Sequence, residues 1–276
     1  MTERIREFLR NRRNEGRDVE PCLVVDLEVV RDNYQNFAKA LPDSRVFYAV
    51  KANPAAEVLS LLASLGSCFD TATVAEIEMA LAAGATPDRI SYGNTIKKER
   101  DIARAYALGI RLFAVDCTAE VEKIARAAPG AKVFCRILYD CAGAEWPLSR
   151  KFGCDPEMAV DVLDLAKRLK LDPVGISFHV GSQQRKVKAW DRALAMASQV
   201  FRDCAERGIN LSMVNMGGGF PTKYLKDIPP VVQYGRSIFR ALRKHFGNQI
   251  PETIIEPGRG MVGNAGIIET EVVLIS

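Results

Sequence analysis

The chain has 276 residues, 48% of them hydrophobic, and 38 Lys+Arg against 34 Asp+Glu give a formal net charge of +4. That length fits one α/β barrel or one large domain with an appendage, and the apolar fraction supplies a sizeable core. So mild a charge argues against nucleic acid and allows at most an anionic small ligand, and no run of eighteen apolar residues marks a membrane span.

Residues 2–17 read as a helix with Ile5, Phe8 and Leu9 on one face and Arg4, Arg6, Arg10, Arg12, Arg13 and Arg17 on the other. The basic face reads as solvated; a docking surface for an acidic partner is the sharper alternative. The residues after Met1 lack the apolar stretch of a secretory signal, so a cytoplasmic protein is expected. The seven cysteines, at 22, 68, 117, 135, 141, 154 and 204, form no C-x-x-C pair. They read as reduced thiols, with Cys68 and Cys135 as core residues. His179 and His245 are the two histidines, too few to make a His-based metal site expected.

Pro21–Asp26 reads as a strand and Leu27–Ala40 as a helix. A rhythm then sets in. Strands are expected at 46–50, 68–70, 90–92, 112–115, 133–138, 174–178, 212–216 and 253–256. Amphipathic helices lie between them, at 55–65, 74–83, 97–108, 119–128, 156–170, 188–207 and 230–246. Gly66, Gly84, Gly109, Gly208 and Gly247 stand where helices should stop. Eight strands with intervening helices indicate a (β/α)8 barrel, with a doubly wound sheet as the alternative. The expected organisation is an N-terminal helix and strand over 1–26, whose strand pairs with a β domain. A barrel follows over 27–260, and 261–276 begin that C-terminal β domain. Because the chain ends inside the apolar run Ile267–Ile275, it reads as truncated, with the β domain incomplete.

In such a barrel the chemistry sits where strands give way to loops. Lys51 ends the first barrel strand, before Asn53-Pro54. A lysine there is either an ordinary surface residue or a partly desolvated amine whose pKa falls, freeing it as a nucleophile. Asp70 ends the second strand, with Glu76 shortly after. Arg136 lies in the fifth, His179 and Ser182 follow the sixth, and Gly217-Gly218-Gly219 follow the seventh. Glu256-Pro257-Gly258-Arg259 follow the eighth. Three glycines bare their N–H groups to an anion, and Arg259 adds a forked cation, at the place where barrels commonly bind phosphate. A flexible turn is the plainer account of the glycines. Glu256 suits a protonated pyridine nitrogen, or else an ion pair with Arg259. His179 is either a ring that stacks on a flat ligand or a satisfied core histidine. An aldehyde for lysine, a phosphate and a basic ring nitrogen together describe pyridoxal 5′-phosphate.

The sequence resembles the fold-type III pyridoxal-phosphate decarboxylases of the ornithine decarboxylase group. The resemblance is carried by Phe47–Asn53, Phe69–Ala72, Tyr92–Lys97, Ser177–Ser182, Asn215–Phe220 and Glu256–Arg259, in family order. It implies an alanine-racemase-like TIM barrel with a C-terminal β domain, and head-to-tail homodimers. It implies that Lys51 is the Schiff-base lysine and that His179 stacks on the cofactor ring. Ser182, Gly217–Gly219 and Arg259 would cradle the phosphate, Gly258 would join the cofactor site, and Glu256 would meet the ring nitrogen. Asp70, Glu76 and Arg136 would order the pocket. The implied reaction is decarboxylation of a basic amino acid, L-ornithine to putrescine or L-lysine to cadaverine, in polyamine biosynthesis. Diaminopimelate decarboxylation, racemisation, or a non-catalytic regulatory homologue are the alternatives.

Overall fold

Short apolar strands rich in β-branched and aromatic residues are buried on both faces, and a closed, helix-wrapped sheet covers both. In the computed structural model, which describes residues 1–17, 20–147 and 151–275, that is the solution found. The strands in chain order are β1 (Cys22–Val25), β2 (Ser44–Ala49), β3 (Cys68–Thr71), β4 (Ile90–Tyr92), β5 (Leu112–Val115), β6 (Lys132–Arg136), β7 (Ala144–Trp146), β8 (Asp172–Ser177), β9 (Ser182–Gln184), β10 (Met213–Asn215), β11 (Glu252–Ile255) and β12 (Gly266–Glu269). The helices are α1 (Glu3–Asn14), α2 (Leu27–Ala40), α3 (Ala56–Ser64), α4 (Val74–Ala82), α5 (Glu99–Ala107), α6 (Thr118–Ala127), α7 (Pro156–Arg168), α8 (Ala189–Glu206), α9 (Val231–Phe246) and the short α10 (Arg259–Val262). Strands β2, β3, β4, β5, β6, β8, β10 and β11 close into a parallel barrel. This is the expected (β/α)8 fold, with each expected barrel strand in place.

Two apolar layers hold it. Val30, Phe69, Ile77, Phe113, Leu163, Ile176 and Val214 belong to the large cluster between strands and helices. Phe47, Cys68, Ala114, Phe134, Met213 and Ile254 form a separate plug inside the barrel. Each large side chain so buried contributes roughly 1.5–3 kcal/mol. Cys68 and Cys135 are both core residues. Every glycine read as a helix stop adopts positive φ, the left-handed conformation that ends a helix.

Three differences from the sequence reading matter. Val50–Ala52 forms a 3-10 turn instead of extending β2, so Lys51 leaves the barrel wall at the strand end. The apolar run 267–275 is strand only to Glu269, because its antiparallel partner β1 has four residues to pair with it. The third is an unforeseen hairpin-like pair, β7 with β9, beside the barrel mouth. The basic face of α1 meets acids: Arg4 pairs with buried Asp26, Arg6 and Arg10 with Glu3, and Arg13 with Glu269. Asp26 also caps α2 by accepting from the N–H of Glu28. One carboxylate therefore starts a barrel helix and anchors the N-terminal helix to it.

Candidate active site

The barrel interior is built in layers, since inward-facing residues recur every second position. Two residues beyond Phe47, Cys68, Phe134, Met213 and Ile254 of the apolar plug come Ala49, Asp70, Arg136, Asn215 and Glu256. Ala49 leaves room, and the other four form a polar floor at the C-terminal end of the barrel. Lys51 stands above it.

Lys51 Nζ donates to Asp70 Oδ2 at 3.2 Å, and the Asp70 side chain is 5% exposed while that of Lys51 is 64% exposed. The Asp70 charge, then burial opposing it, then the Glu256 charge act on the amine, and the net effect raises its pKa. The expected fall is therefore reversed: the lysine reaches a buried carboxylate from an open cavity, and Coulomb attraction exceeds its desolvation. Asp70 Oδ1 has no hydrogen-bond partner among the described residues. It abuts Gly93, where a Cβ would come within 1.9 Å of it.

Glu256 is pushed up to about 7, by burial first and by the neighbouring Asp70 second, against Lys51, Asn215 and Arg136. Its Oε1 accepts from Asn215 Nδ2, and Asn215 Oδ1 accepts from the N–H of Gly217 at 2.9 Å. One side chain thus ties the last-strand carboxylate to the glycine run. Among the described residues Glu256 is repelled by Asp70, attracted by Lys51 and Arg136, and makes no ion pair with Arg259. Arg259 instead donates from Nη1 to the Tyr224 hydroxyl at 3.1 Å and lies over the Trp146 ring.

His179 follows β8. Burial, then the positive charges of Arg136 and Lys51, hold its pKa down to about 3, so the ring is neutral near pH 7. The N–H of Gly181 donates to Nδ1 at 2.9 Å, which leaves the ring proton on Nε2. The glycine run is packed, not loose. A Cβ on Gly217, Gly218 or Gly219 would meet the carbonyl oxygens of Phe178, Glu256 or Gly181 at 2.2, 2.6 and 2.4 Å. These three backbones approach so closely that no side chain fits, and any substitution must move main chain.

Lys51, His179, Ser182, Glu256, Gly258 and Arg259 line one cavity of about 440 Å³, with Gly218 and Gly219 in its wall. Asp70, Arg136 and Gly217 lie beneath or behind these residues. Glu76 is elsewhere: its Oε2 accepts from the N–H of Ala72 while Thr73 caps α4, so it shapes the turn after β3. Sequence reasoning missed Asn215, Gly93, Trp146 and Tyr224 as site residues. The two-residue step from Met213 was the available signal for Asn215.

Residues 27–263 match the family described as pyridoxal-dependent decarboxylase, pyridoxal binding domain. The chain belongs to this family. Its cofactor is pyridoxal 5′-phosphate, and the residues present fit that group. The pyridoxal-binding domain offers it an amine at Lys51, an unpartnered buried acceptor at Asp70 and a carboxylate at Glu256. Arg259 and the backbone of Gly218 and Gly219 line the same space. The lysine/ornithine decarboxylase of Selenomonas ruminantium is 38% identical over 255 residues, 92% of this chain and 64% of that protein. Antizyme inhibitor 2 of Xenopus laevis is 34% identical over 268 residues, 97% of this chain and 59% of that protein. The structure of a lysine/ornithine decarboxylase from Vibrio vulnificus complexed with putrescine superposes with a TM-score of 0.86 at 30% identity, over 96% of this chain and 70% of that one. The chain thus spans about three fifths of the length of these curated relatives. No described helix is long and apolar enough to cross a membrane.

Proposed function

We propose that this chain carries the cofactor-binding half of a decarboxylase for basic amino acids, acting on L-ornithine and also L-lysine to give putrescine or cadaverine. The observation that carries the reading is the Lys51–Asp70 pair facing Glu256 in the same cavity as Arg259 and the glycine cradle. When bound, pyridoxal phosphate supplies an aldehyde for amines and a cationic ring that accepts the electron pair left when a carboxylate departs.

The chain's own residues account for the rest. Asp70 keeps Lys51 Nζ protonated, so a proton is held at an atom able to reach over the cavity. Glu256, poised near neutrality, is the carboxyl group that would hold or release a proton toward the ring nitrogen of the cofactor. Neutral His179 presents a flat face that adds no competing charge to that of the ring. Arg259, Ser182 and the backbone of Gly218 and Gly219 would hold the phosphate. Asp70 and Arg136 set the field in which these groups titrate.

The Selenomonas and Vibrio relatives, named for lysine and ornithine, support the substrate class. The whole protein is read as a cytoplasmic homodimer. A second reading, a regulatory homologue without activity, is favoured by the similarity to an antizyme inhibitor. Two measurements separate the readings. Borohydride reduction after incubation with pyridoxal phosphate, then peptide mapping, should place a pyridoxyl group on the Lys51 peptide. Carbon dioxide release should then favour ornithine or lysine over diaminopimelate. With the whole protein, labelling without release from any of these supports the regulatory reading, and absence of labelling overturns the decarboxylase reading.

A further inference from the structure

The β7–β9 pair lies against the cavity and is bound to it more firmly than a passing loop would be. Trp146 is the cross-strand partner of Ser182. The Cys141 thiol donates to the carbonyl of His179 at 3.2 Å, Gln184 Nε2 donates to the carbonyl of Ala142 at 3.4 Å, and Arg185 pairs with Glu145 at 3.0 Å. The fit depends on Gly181, at φ +90, where a Cβ would stand 2.4 Å from that of Ala144. The segment carrying Trp146 is therefore pressed onto the segment carrying His179 and Ser182.

Across the cavity wall the Trp146 ring meets Arg259, its centroid 4.8 Å from Cζ. Among the described residues that guanidinium also meets the Tyr224 hydroxyl, 3.1 Å from Nη1. Among the described residues no carboxylate pairs with Arg259. A phosphate-binding arginine needs a fixed orientation and an unspent charge. A carboxylate would supply the first and neutralise the second. An aromatic face and a hydroxyl supply orientation while leaving the charge and most N–H donors to a ligand.

We infer that Trp146 is a positioning residue for the cofactor's phosphate: its ring holds the Arg259 guanidinium over the Ser182–Gly219 cradle. The inference rests on the reading of this cavity as the pyridoxal phosphate site. It makes β7 part of the phosphate site, coupling phosphate affinity to the seating of a strand that supplies no ligand group of its own.

The test uses equilibrium dialysis of the cofactor-free chain against pyridoxal 5′-phosphate and, separately, against pyridoxal, which lacks the phosphate. Trp146→Ala should weaken the phosphorylated ligand roughly three- to tenfold, as loss of a part-exposed cation–π contact does, and leave pyridoxal unchanged. Trp146→Phe should restore most of the affinity. Trp146→Leu, apolar but without a ring face, should behave as the alanine variant and covers the case in which alanine does not fold. A spectroscopic readout is independent: Trp190 is fully buried and common to both proteins, so the wild-type minus Trp146→Phe fluorescence isolates Trp146. That difference should change on adding pyridoxal phosphate. Equal affinity of wild type and Trp146→Leu for pyridoxal phosphate overturns the inference. So does an equal loss for both ligands, which marks a merely structural role. Failure of the wild type to bind pyridoxal phosphate overturns this inference and the cofactor reading together.

Discussion

Lys51, in the turn after β2, pairs with Asp70 of the adjacent strand β3, Nζ to Oδ2 at 3.2 Å, the acid almost wholly buried and the lysine side chain largely open to the cavity. The pair decides the charge of the amine. Replacing Asp70 by Asn removes the largest influence raising the Lys51 pKa and leaves burial and Arg136 to lower it. Labelling of Lys51 by trinitrobenzenesulfonate in the cofactor-free chain, followed against pH by peptide mapping, should then show its midpoint displaced to lower pH in Asp70→Asn. An unmoved midpoint would show that the carboxylate does not control the amine.

His179 and Glu256 should tilt stability in opposite directions on acidification. The folded pKa of His179, about 3, is below its ordinary 6.5. Between those values the unfolded chain binds more protons, so stability falls as pH drops, by up to about 5 kcal/mol over the whole window. Glu256 is raised from 4.5 to about 7. In that window the folded chain binds more protons, so stability falls as pH rises. Urea unfolding of the cofactor-free chain at several pH values checks both signs. His179→Asn should flatten the loss below pH 6, and Glu256→Gln should flatten the loss between about 5 and 7. The same slope in both variants and wild type would contradict the burial that shifts these groups.

The barrel was readable because its signals are local. Strand alternation and glycines after the helices placed all eight barrel strands, and strand ends drew attention to Lys51, Asp70, His179 and Glu256. What escaped depends on partners far away in sequence. The direction of the Lys51 shift is set by Asp70, 19 residues on, so burial at a strand end misjudged it. The strand expected over 267–275 stops where β1 runs out of residues. The three-residue strands Ala144–Trp146 and Ser182–Gln184 are too short for any periodicity. Their neighbours Gly143 and Gly181 suggest loop. Glu76 was drawn toward the pocket by its place after β3, whereas a nearby unpaired N–H, that of Ala72, claims its carboxylate.

Asn215 illustrates a role that only strand pairing exposes. It ends β10 beside β11, opposite Ile254, so its amide bridges Glu256 and Gly217. Asn215→Ala deletes both bonds and strips Glu256 of a donor that lowers its pKa. The expected result is a loss of about 1–3 kcal/mol in unfolding free energy with weaker binding of pyridoxal phosphate. Asn215→Asp should be worse for the cofactor, since it sets a second negative charge against Glu256. Denaturation and dialysis of the two variants check the order; an alanine variant that binds as wild type would show the bridge to be dispensable.

The buried pair Lys97–Glu120 supports the site from behind. The Lys97 side chain is 0% exposed, and its ammonium uses Glu120 Oε1 at 2.9 Å and the carbonyls of Asn94 and Ala114 at 2.8 and 2.6 Å. Burial lowers its pKa to about 8 against the pull of Glu120, so the ammonium stays charged at neutral pH with all three protons engaged. It fixes the loop that carries Gly93, the glycine packed against Asp70 Oδ1. Lys97→Met breaks a buried pair from one side and strands much of the Glu120 charge, although Lys123 still reaches its Oε2. A loss of about 3 kcal/mol is expected. Adding Glu120→Gln removes the stranded charge while keeping an acceptor for the Lys97 N–H, which Glu120 Oε1 now serves. The double variant should therefore unfold at higher urea than Lys97→Met alone. Because the loop backs Asp70, the single variant should also shift the pH midpoint of Lys51 labelling toward its ordinary value, and the double variant should recover part of that shift. Stability lost with the Lys51 midpoint unmoved would confine the pair to holding the fold.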